Sequence, residues 1–150
     1  MKNKSDYNPL VSIIINCYNG EAHLQDCIES LLLQTYKNWE IVFWDNQSND
    51  KSKKIAQSYG PKVKYYYAEN HTNLGKARAL ASEKAKGQYL SFLDADDLWD
   101  PTKLEKQINT FLRLNSETVI NQLAEKFPDL GENPSERDVF LKLRELRNSW

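Results

Sequence analysis

Short apolar runs alternate with helical patterns over the first two thirds of the chain. Four runs rich in Ile, Val, Tyr and Phe predict strands, at Val11–Asn16, Trp39–Trp44, Val63–Ala68 and Gln88–Leu93. Apolar residues recur at helical spacing between them, around residues 24–32, 50–59 and 77–85. This alternation is typical of βαβ units with right-handed crossovers. We therefore predict an α/β fold with a doubly wound, mainly parallel sheet.

The last third of the chain has only helical patterns. Asp100-Pro101 is a typical helix start, with a capping residue followed by proline at the first helical position. Further helices are predicted over residues 119–127 and from Asn133-Pro134 onward. We expect an α/β domain over residues 1–110 and a helical extension over residues 111–150. The extension is expected to cover exposed sheet or to pair with another chain as a homodimer.

Charge and composition exclude several classes of protein. Lys and Arg number 20 against 21 Asp and Glu, so the net charge of −1 gives no bulk attraction to nucleic acid. The two cysteines, Cys17 and Cys27, are too few for a disulfide framework and are expected to be reduced and buried. No segment has the roughly 20 apolar residues that cross a bilayer. We expect no nucleic-acid partner and a location in the cytoplasm or peripheral to the membrane.

Polar residues follow each of the four predicted strands. These clusters are Asn16–Gly20, Asp45–Asp50, Glu69–Arg78 and Asp94–Asp97. In open α/β sheets ligands bind at the carboxyl ends of the strands, where loop amides and helix N-termini converge. We therefore expect the four clusters to form one site at one edge of the sheet.

The segment Asp94-Ala95-Asp96-Asp97 carries three carboxylates within four residues. They repel one another unless a cation lies between them, and Mg²⁺ or Mn²⁺ prefers such oxygen ligands while also binding substrate phosphates. A capped turn leading into the next helix is an equal alternative for this segment taken alone.

Two further side chains are candidates for ligand contacts. Asp45 ends an apolar strand and is suited to accept a hydrogen bond from a heterocyclic N–H, since Ser48 or Asp50 is better placed to cap the next helix. Arg78 lies near the start of a helix and is suited to a phosphate, although a surface arginine is an equal alternative. The isolated histidines, His23 and His71, receive no role.

Five linked segments resemble the N-terminal half of the family 2 glycosyltransferases with the GT-A fold, over about residues 9–110. They are Val11–Gly20, Ser30–Tyr36, Glu40–Asp50, Asn73–Ala79 and Gly87–Asp97. The resemblance implies a nucleotide-sugar site made by Cys17, Tyr18, Asn19, Asp45, Arg78, Asp94, Ala95 and Asp96.

The resemblance also implies a role for each part of this site. The Tyr18-Asn19 loop would lie against the nucleotide, and Asp45 would hydrogen-bond the base, usually uracil. Arg78 would lie near the base or the diphosphate. Asp94 would lie by the ribose, and Asp96, together with Asp94, would hold the Mg²⁺ or Mn²⁺ ion of the diphosphate.

Three features depart from the family pattern. Asn46 replaces a second acid after Asp45, and Cys17 replaces a hydroxyl residue before Tyr18. The acceptor half has no recognisable counterpart in residues 111–150, so no catalytic base is identified.

The expected function is therefore that of an inverting, metal-dependent glycosyltransferase. It would transfer sugar from a UDP-sugar to a hydroxyl of a glycan or lipid-linked acceptor. The alternative is a truncated, non-catalytic module that binds nucleotide-sugar or serves oligomerisation.

Overall fold

A computed structural model describes residues 8–114 of the chain, in which four parallel strands form one sheet. The strands are β1 (Val11–Cys17), β2 (Trp39–Asp45), β3 (Val63–Tyr67) and β4 (Tyr89–Asp94). The helices are α1 (Leu24–Leu32), α2 (Ser52–Ser58), α3 (Leu74–Ser82) and α4 (Lys103–Leu114), and a short 3₁₀ turn spans Gly60–Lys62. The predicted α/β fold is confirmed, and each strand boundary agrees with its prediction to within one residue.

The strand order is β3-β2-β1-β4, so the chain winds outward from β1 in both directions. β2 and β3 follow on one side of β1, and β4 returns to the other side. Because crossovers are right-handed, this reversal places α3 on the opposite face of the sheet from α1 and α2. The topological switch point therefore lies between β1 and β4.

The two central strands are buried at six of their seven positions each. Ile13, Ile15 and Ile41 are completely inaccessible to solvent, which explains why these strands read as continuous apolar runs. On the α3 face, Ile14, Val42 and Trp44 pack in one cluster with the small helix residues, Ala77 and Ala81. Small side chains at these positions let the helix lie close to the sheet.

The end of the described region departs from the sequence-based expectations at one helix start. β4 follows its predicted bounds to within one residue and is only partly buried, with Phe92 exposed, because it lies at an edge of the four-stranded sheet. Helix α4 begins at Lys103 instead of Pro101, since Pro101 and Thr102 form a turn.

The predicted division of the chain at residues 110 and 111 stays a prediction. One compact unit ends at Pro101 and the next begins at Thr102. Helix α4 is the described element of the second unit. The predicted helices over residues 119–127 and from Asn133 lie outside the described residues. Of the helices that the structure describes, none is long and apolar enough to cross a membrane.

Candidate functional site

The carboxyl ends of the strands bring the predicted polar clusters to one edge of the sheet. The parallel register places Cys17 beside Asp45, and Asp45 beside Tyr67. On the other side of β1, Asn16 is the register partner of Asp94. The expected coincidence of the four clusters at one edge is confirmed.

A cavity of about 350 Å³ opens at this edge, at the switch point between β1 and β4. Open α/β sheets bind ligands in such a crevice. Its lining residues are Asn16, Tyr18, Asn19, Gly20, His23, Asp94, Ala95 and Asp96. Five of the predicted site residues line this cavity, whereas Cys17, Asp45 and Arg78 do not.

Hydrogen bonds between the β1 and β2 loops fix one wall of the cavity. Asn19 has a positive φ of 53°, a conformation that asparagine tolerates better than most residues. Its backbone N–H donates to Ser48 Oγ at 2.9 Å, and its Oδ1 accepts from the Asn49 N–H at 2.9 Å. These bonds hold the loop that carries Tyr18, whose side chain is 55% exposed.

Asp45 lies beneath this loop and is completely buried. Its Oδ1 accepts from the Ser48 N–H at 2.7 Å, and its Oδ2 accepts from the Tyr65 hydroxyl at 2.6 Å. Burial, together with this bond to Asp45, raises the pKa of Tyr65 well above its usual value. The N-cap residue of α2 is Lys51 instead of the expected Ser48 or Asp50, although Asp50 Oδ1 accepts from the Ser52 N–H at 2.9 Å. Asp45 is not left without a protein partner.

The two cysteines are buried, as predicted. Cys17 Sγ lies 3.5 Å from Ser52 Oγ, on the protein side of the loop, and burial raises the pKa of this thiol. A β-carbon on Gly20 would lie 2.8 Å from the same sulfur. Burial also raises the pKa of Cys27 to about 12. Both thiols therefore serve packing.

Arg78 reaches the site from α3 and pairs with the first acid of the β4 cluster. Its Nη2 lies 2.5 Å from Asp94 Oδ1, with both side chains partly exposed. The guanidinium also lies over the Phe92 ring, 5.7 Å from its centroid. Arg78 thus neutralises Asp94, while Asp96 lines the cavity as a separate, exposed carboxylate.

The donor set fits a divalent ion that is shared with a ligand better than one held by protein alone. Within residues 8–114, no three His, Cys, Asp or Glu side chains are grouped so as to hold a metal ion. Mg²⁺ and Mn²⁺ sites often use one or two carboxylates, with phosphate oxygens and water completing the coordination. Of the two acids, Asp96 is the better candidate for such a ligand, because Asp94 already pairs with Arg78.

Three residues without a predicted role also lie at this site. Asn16 and His23 line the cavity, and His71 packs edge-on against Tyr18 with ring centroids 4.5 Å apart. His71 Nδ1 also lies 2.8 Å from the Asn46 carbonyl oxygen. The position of Asn16 at the end of β1 was the sequence signal that could have predicted its place at the site. The two histidines lie there because of the conformation of their loops, which the sequence pattern does not predict.

Comparison with known proteins identifies similar sequences and folds. The family model described as glycosyl transferase family 2 matches residues 12–149. An uncharacterised glycosyltransferase of Rickettsia typhi is 45% identical over 117 residues, which are 78% of this chain and 36% of that protein. The UDP-Glc:alpha-D-GlcNAc-diphosphoundecaprenol beta-1,3-glucosyltransferase of Escherichia coli is 38% identical over 107 residues, 71% of this chain and 42% of that enzyme.

A solved structure shares the same architecture. The crystal structure of S. aureus TarS in complex with UDP superposes with a TM-score of 0.63 at 28% identity. The match covers 66% of this chain and 31% of that one. The chain spans less than half the length of both sequence relatives named above.

Proposed function

Because the chain belongs to glycosyl transferase family 2 and has the GT-A fold, we propose that it binds a UDP-sugar and transfers the sugar to an acceptor hydroxyl. One observation carries this proposal. The Asp94-Ala95-Asp96 segment and the Tyr18-Asn19 loop face each other across one cavity at the switch point of the sheet. That cavity offers an exposed ring for the nucleoside at one wall and carboxylates for a metal-bound diphosphate at the other.

Asp96 is the proposed protein ligand of a Mg²⁺ or Mn²⁺ ion, with Asp94 beside it. When bound, such an ion stabilises the negative charge that develops on the departing nucleoside diphosphate. Asp94 is held in place by Arg78, and this pairing limits its movement at the cavity mouth. Through this pair Arg78 places a cationic group beside a residue that lines the cavity, and a guanidinium there would attract the phosphates.

Transfer to an acceptor, with inversion at the sugar, is a proposal for the whole protein. The chain spans 36% and 42% of the two relatives named above. The described residues offer a donor site, and no acceptor is assigned from them. The acceptor class proposed is a glycan or lipid-linked hydroxyl, and a location peripheral to the membrane would suit the latter.

The first experiment is calorimetric titration of UDP into the protein with Mn²⁺ and then with EDTA. We expect saturable binding with the metal and loss of binding with the chelator. Asp96→Ala should weaken binding at least about tenfold, since it removes the main metal ligand. Glu69→Ala is the matched control, because Glu69 lies at the same sheet edge but lines a different cavity.

The outcomes separate donor binding from other uses of the fold. Equal binding of UDP by the wild type and by Asp96→Ala would contradict the proposed metal site. A folded protein that does not bind UDP with or without metal would contradict the donor site and favour an oligomerisation module. Incubation with UDP-sugars and hydroxyl acceptors then separates transfer from binding alone.

A further inference from the structure

We propose that a second cavity, between β3 and α3, is a binding site for a neutral glycan. Its volume is about 480 Å³, within the range of about 300–1,000 Å³ that is typical of ligand pockets. Its lining, which defines the β3–α3 cavity, includes Trp44, Tyr66, Glu69, Lys76, Glu83 and Lys84. None of the described residues lines both this cavity and the one at the switch point. Binding there does not require UDP, so the proposal goes beyond the donor site.

The packing of α3 explains why this cavity exists. The small side chains of Ala77 and Ala81 let α3 pack against β1 and β2. β3 lies next to β2 at the edge of the sheet, beyond the two strands that α3 packs against. The groove between the helix and this edge strand is therefore left open on the α3 face of the sheet.

Two aromatic residues that line the cavity are held by the core. Trp44 and Tyr66 are register partners on neighbouring strands, and both pack with the apolar cluster beneath α3. Tyr66 is only partly buried, and the Lys84 ammonium lies over its ring, 5.8 Å from the centroid. A sugar ring presents a face of C–H groups that packs on aromatic surface, with hydroxyl groups around its rim. Fixed aromatic side chains beside polar groups suit such a ligand.

The charged residues that line the cavity are balanced in sign. They are two lysines, Lys76 and Lys84, and two glutamates, Glu69 and Glu83, and all four are exposed. None of these side chains forms an ion pair with another residue between 8 and 114. Their ammonium groups and carboxylates are therefore available to a ligand.

This balance of charge favours an uncharged ligand. A ligand of either sign would be repelled by two of the four charges. A lysine ammonium only donates hydrogen bonds and a carboxylate only accepts them, whereas a hydroxyl does both. A sugar hydroxyl can therefore accept from a lysine and donate to a glutamate at the same time.

The loop between β3 and α3 contacts both cavities. Glu69 and Thr72 line the β3–α3 cavity, whereas His71 packs edge-on against Tyr18, which lines the cavity at the switch point. A bound glycan would thus contact the loop that also contacts the proposed nucleotide site. Its identity as part of the acceptor is the one step that rests on the proposed function.

The test is titration of neutral oligosaccharides into the ¹⁵N-labelled 150-residue chain, without UDP or metal. The probes are cellotetraose, maltotetraose and tetra-N-acetyl-chitotetraose. With at least one of them we expect saturable changes in amide chemical shift, confined to residues around the β3–α3 cavity. Tetragalacturonate, which is anionic, should bind at least about tenfold more weakly than that neutral probe, because the two glutamates repel it.

Lys84→Ala provides a variant with a matched control. It should weaken binding of the neutral oligosaccharide about fivefold, as expected for losing a hydrogen bond from a charged donor. Lys53→Ala is the control, because Lys53 Nζ lies 5.9 Å from the Tyr65 ring centroid on the opposite face of β3. It should bind like the wild type. Equal losses in the two variants would contradict the assigned cavity.

Two further variants separate this proposal from the proposed function. Glu69→Ala should weaken oligosaccharide binding and leave UDP binding unchanged, whereas Asp96→Ala should do the reverse. Absence of shift changes with all three neutral probes, or tighter binding of tetragalacturonate, would overturn the neutral glycan site and leave UDP binding untouched. Oligosaccharide binding by a chain that does not bind UDP would overturn the proposed donor site alone.

Discussion

At the residue scale, hydrogen bonds explain why Asn46 occupies a position where the family pattern has a second acid. Asn46 Nδ2 donates to the Thr72 carbonyl at 2.7 Å, and its Oδ1 accepts from the Thr72 N–H at 3.1 Å. A carboxylate cannot donate, so an aspartate would lose the first bond and place its charge against a carbonyl oxygen. The amide therefore ties the β2 loop to the loop after β3, at a position where the resemblance places a second acid.

The bond between Tyr65 and Asp45 provides a test at this scale. Tyr65→Phe leaves one oxygen of a completely buried carboxylate without its partner. We expect the free energy of unfolding to fall by about 1–3 kcal/mol at pH 7, as measured by urea denaturation. Tyr66→Phe, on the opposite face of β3, is the control and should change it much less. Equal losses in the two variants would show that the bond to Asp45 adds nothing particular.

The raised pKa of Tyr65 predicts how this difference depends on pH. Burial and Asp45 hold the phenol protonated in the folded state, so its pKa lies above that of the unfolded chain. Its contribution is full below the ordinary tyrosine pKa of about 10 and is lost as the pH rises toward the folded-state value. The stability gap between wild type and Tyr65→Phe should therefore shrink at strongly alkaline pH.

At the scale of elements, one polar network joins β1, β2 and the loop before β4 at the end of the sheet opposite the site. Ser12 is completely buried in β1, and its Oγ donates to Glu40 Oε1 at 2.7 Å. The same hydroxyl accepts from the Gly87 N–H at 2.8 Å, while Glu40 Oε1 accepts from the Lys86 N–H at 2.9 Å. This network explains the buried polar residue near the start of β1 and fixes the entry to β4.

Two glycine substitutions should have opposite effects on the stability of these elements. A β-carbon at Gly87 would lie 2.5 Å from the Ser12 backbone nitrogen and 2.7 Å from the Leu10 carbonyl oxygen, so Gly87→Ala forces backbone to move. We expect it to lower the free energy of unfolding by about 1–3 kcal/mol.

Gly75 in α3 is the matched position, because its nearest contact would be Asn73 Oδ1 at 3.6 Å. Gly75→Ala should raise stability by up to about 1 kcal/mol through helix propensity. Urea denaturation measures both variants. Similar stability for the two would contradict the close approach of Gly87 to β1.

At the scale of the whole molecule, donor binding should be linked to folding. The cavity is built from the ends of β1 and β4, which pair only in the folded sheet, so nucleotide that binds there stabilises the native state. At UDP concentrations about 100 times the Kd, the gain is about 2.7 kcal/mol, which should raise Tm by at least about 5 °C. Scanning fluorimetry with Mn²⁺ measures this shift, and EDTA should reverse it. A shift of equal size without metal would contradict the role of Asp96.

The sequence by itself determined the architecture and the sheet edge at which the polar clusters meet. β1 and β2 are buried on both faces, so their apolar runs are nearly continuous. Their predicted boundaries therefore agree with the observed ones to within one residue. Once a parallel sheet is predicted, the polar clusters after the strands must meet at one edge. The linked motifs, from Val11–Gly20 to Gly87–Asp97, indicated the family that the match over residues 12–149 establishes.

Only the tertiary structure decided how the side chains at that edge are paired. Tyr65 reaches Asp45 from another strand, Arg78 reaches Asp94 from a helix, and the amide of Asn16 is left without a partner in the described region. A linear pattern specifies which face and which edge a residue occupies, because strand and helix periods are local. The partner of each polar atom depends on contacts between segments distant in sequence, and the pattern of a single segment does not contain them.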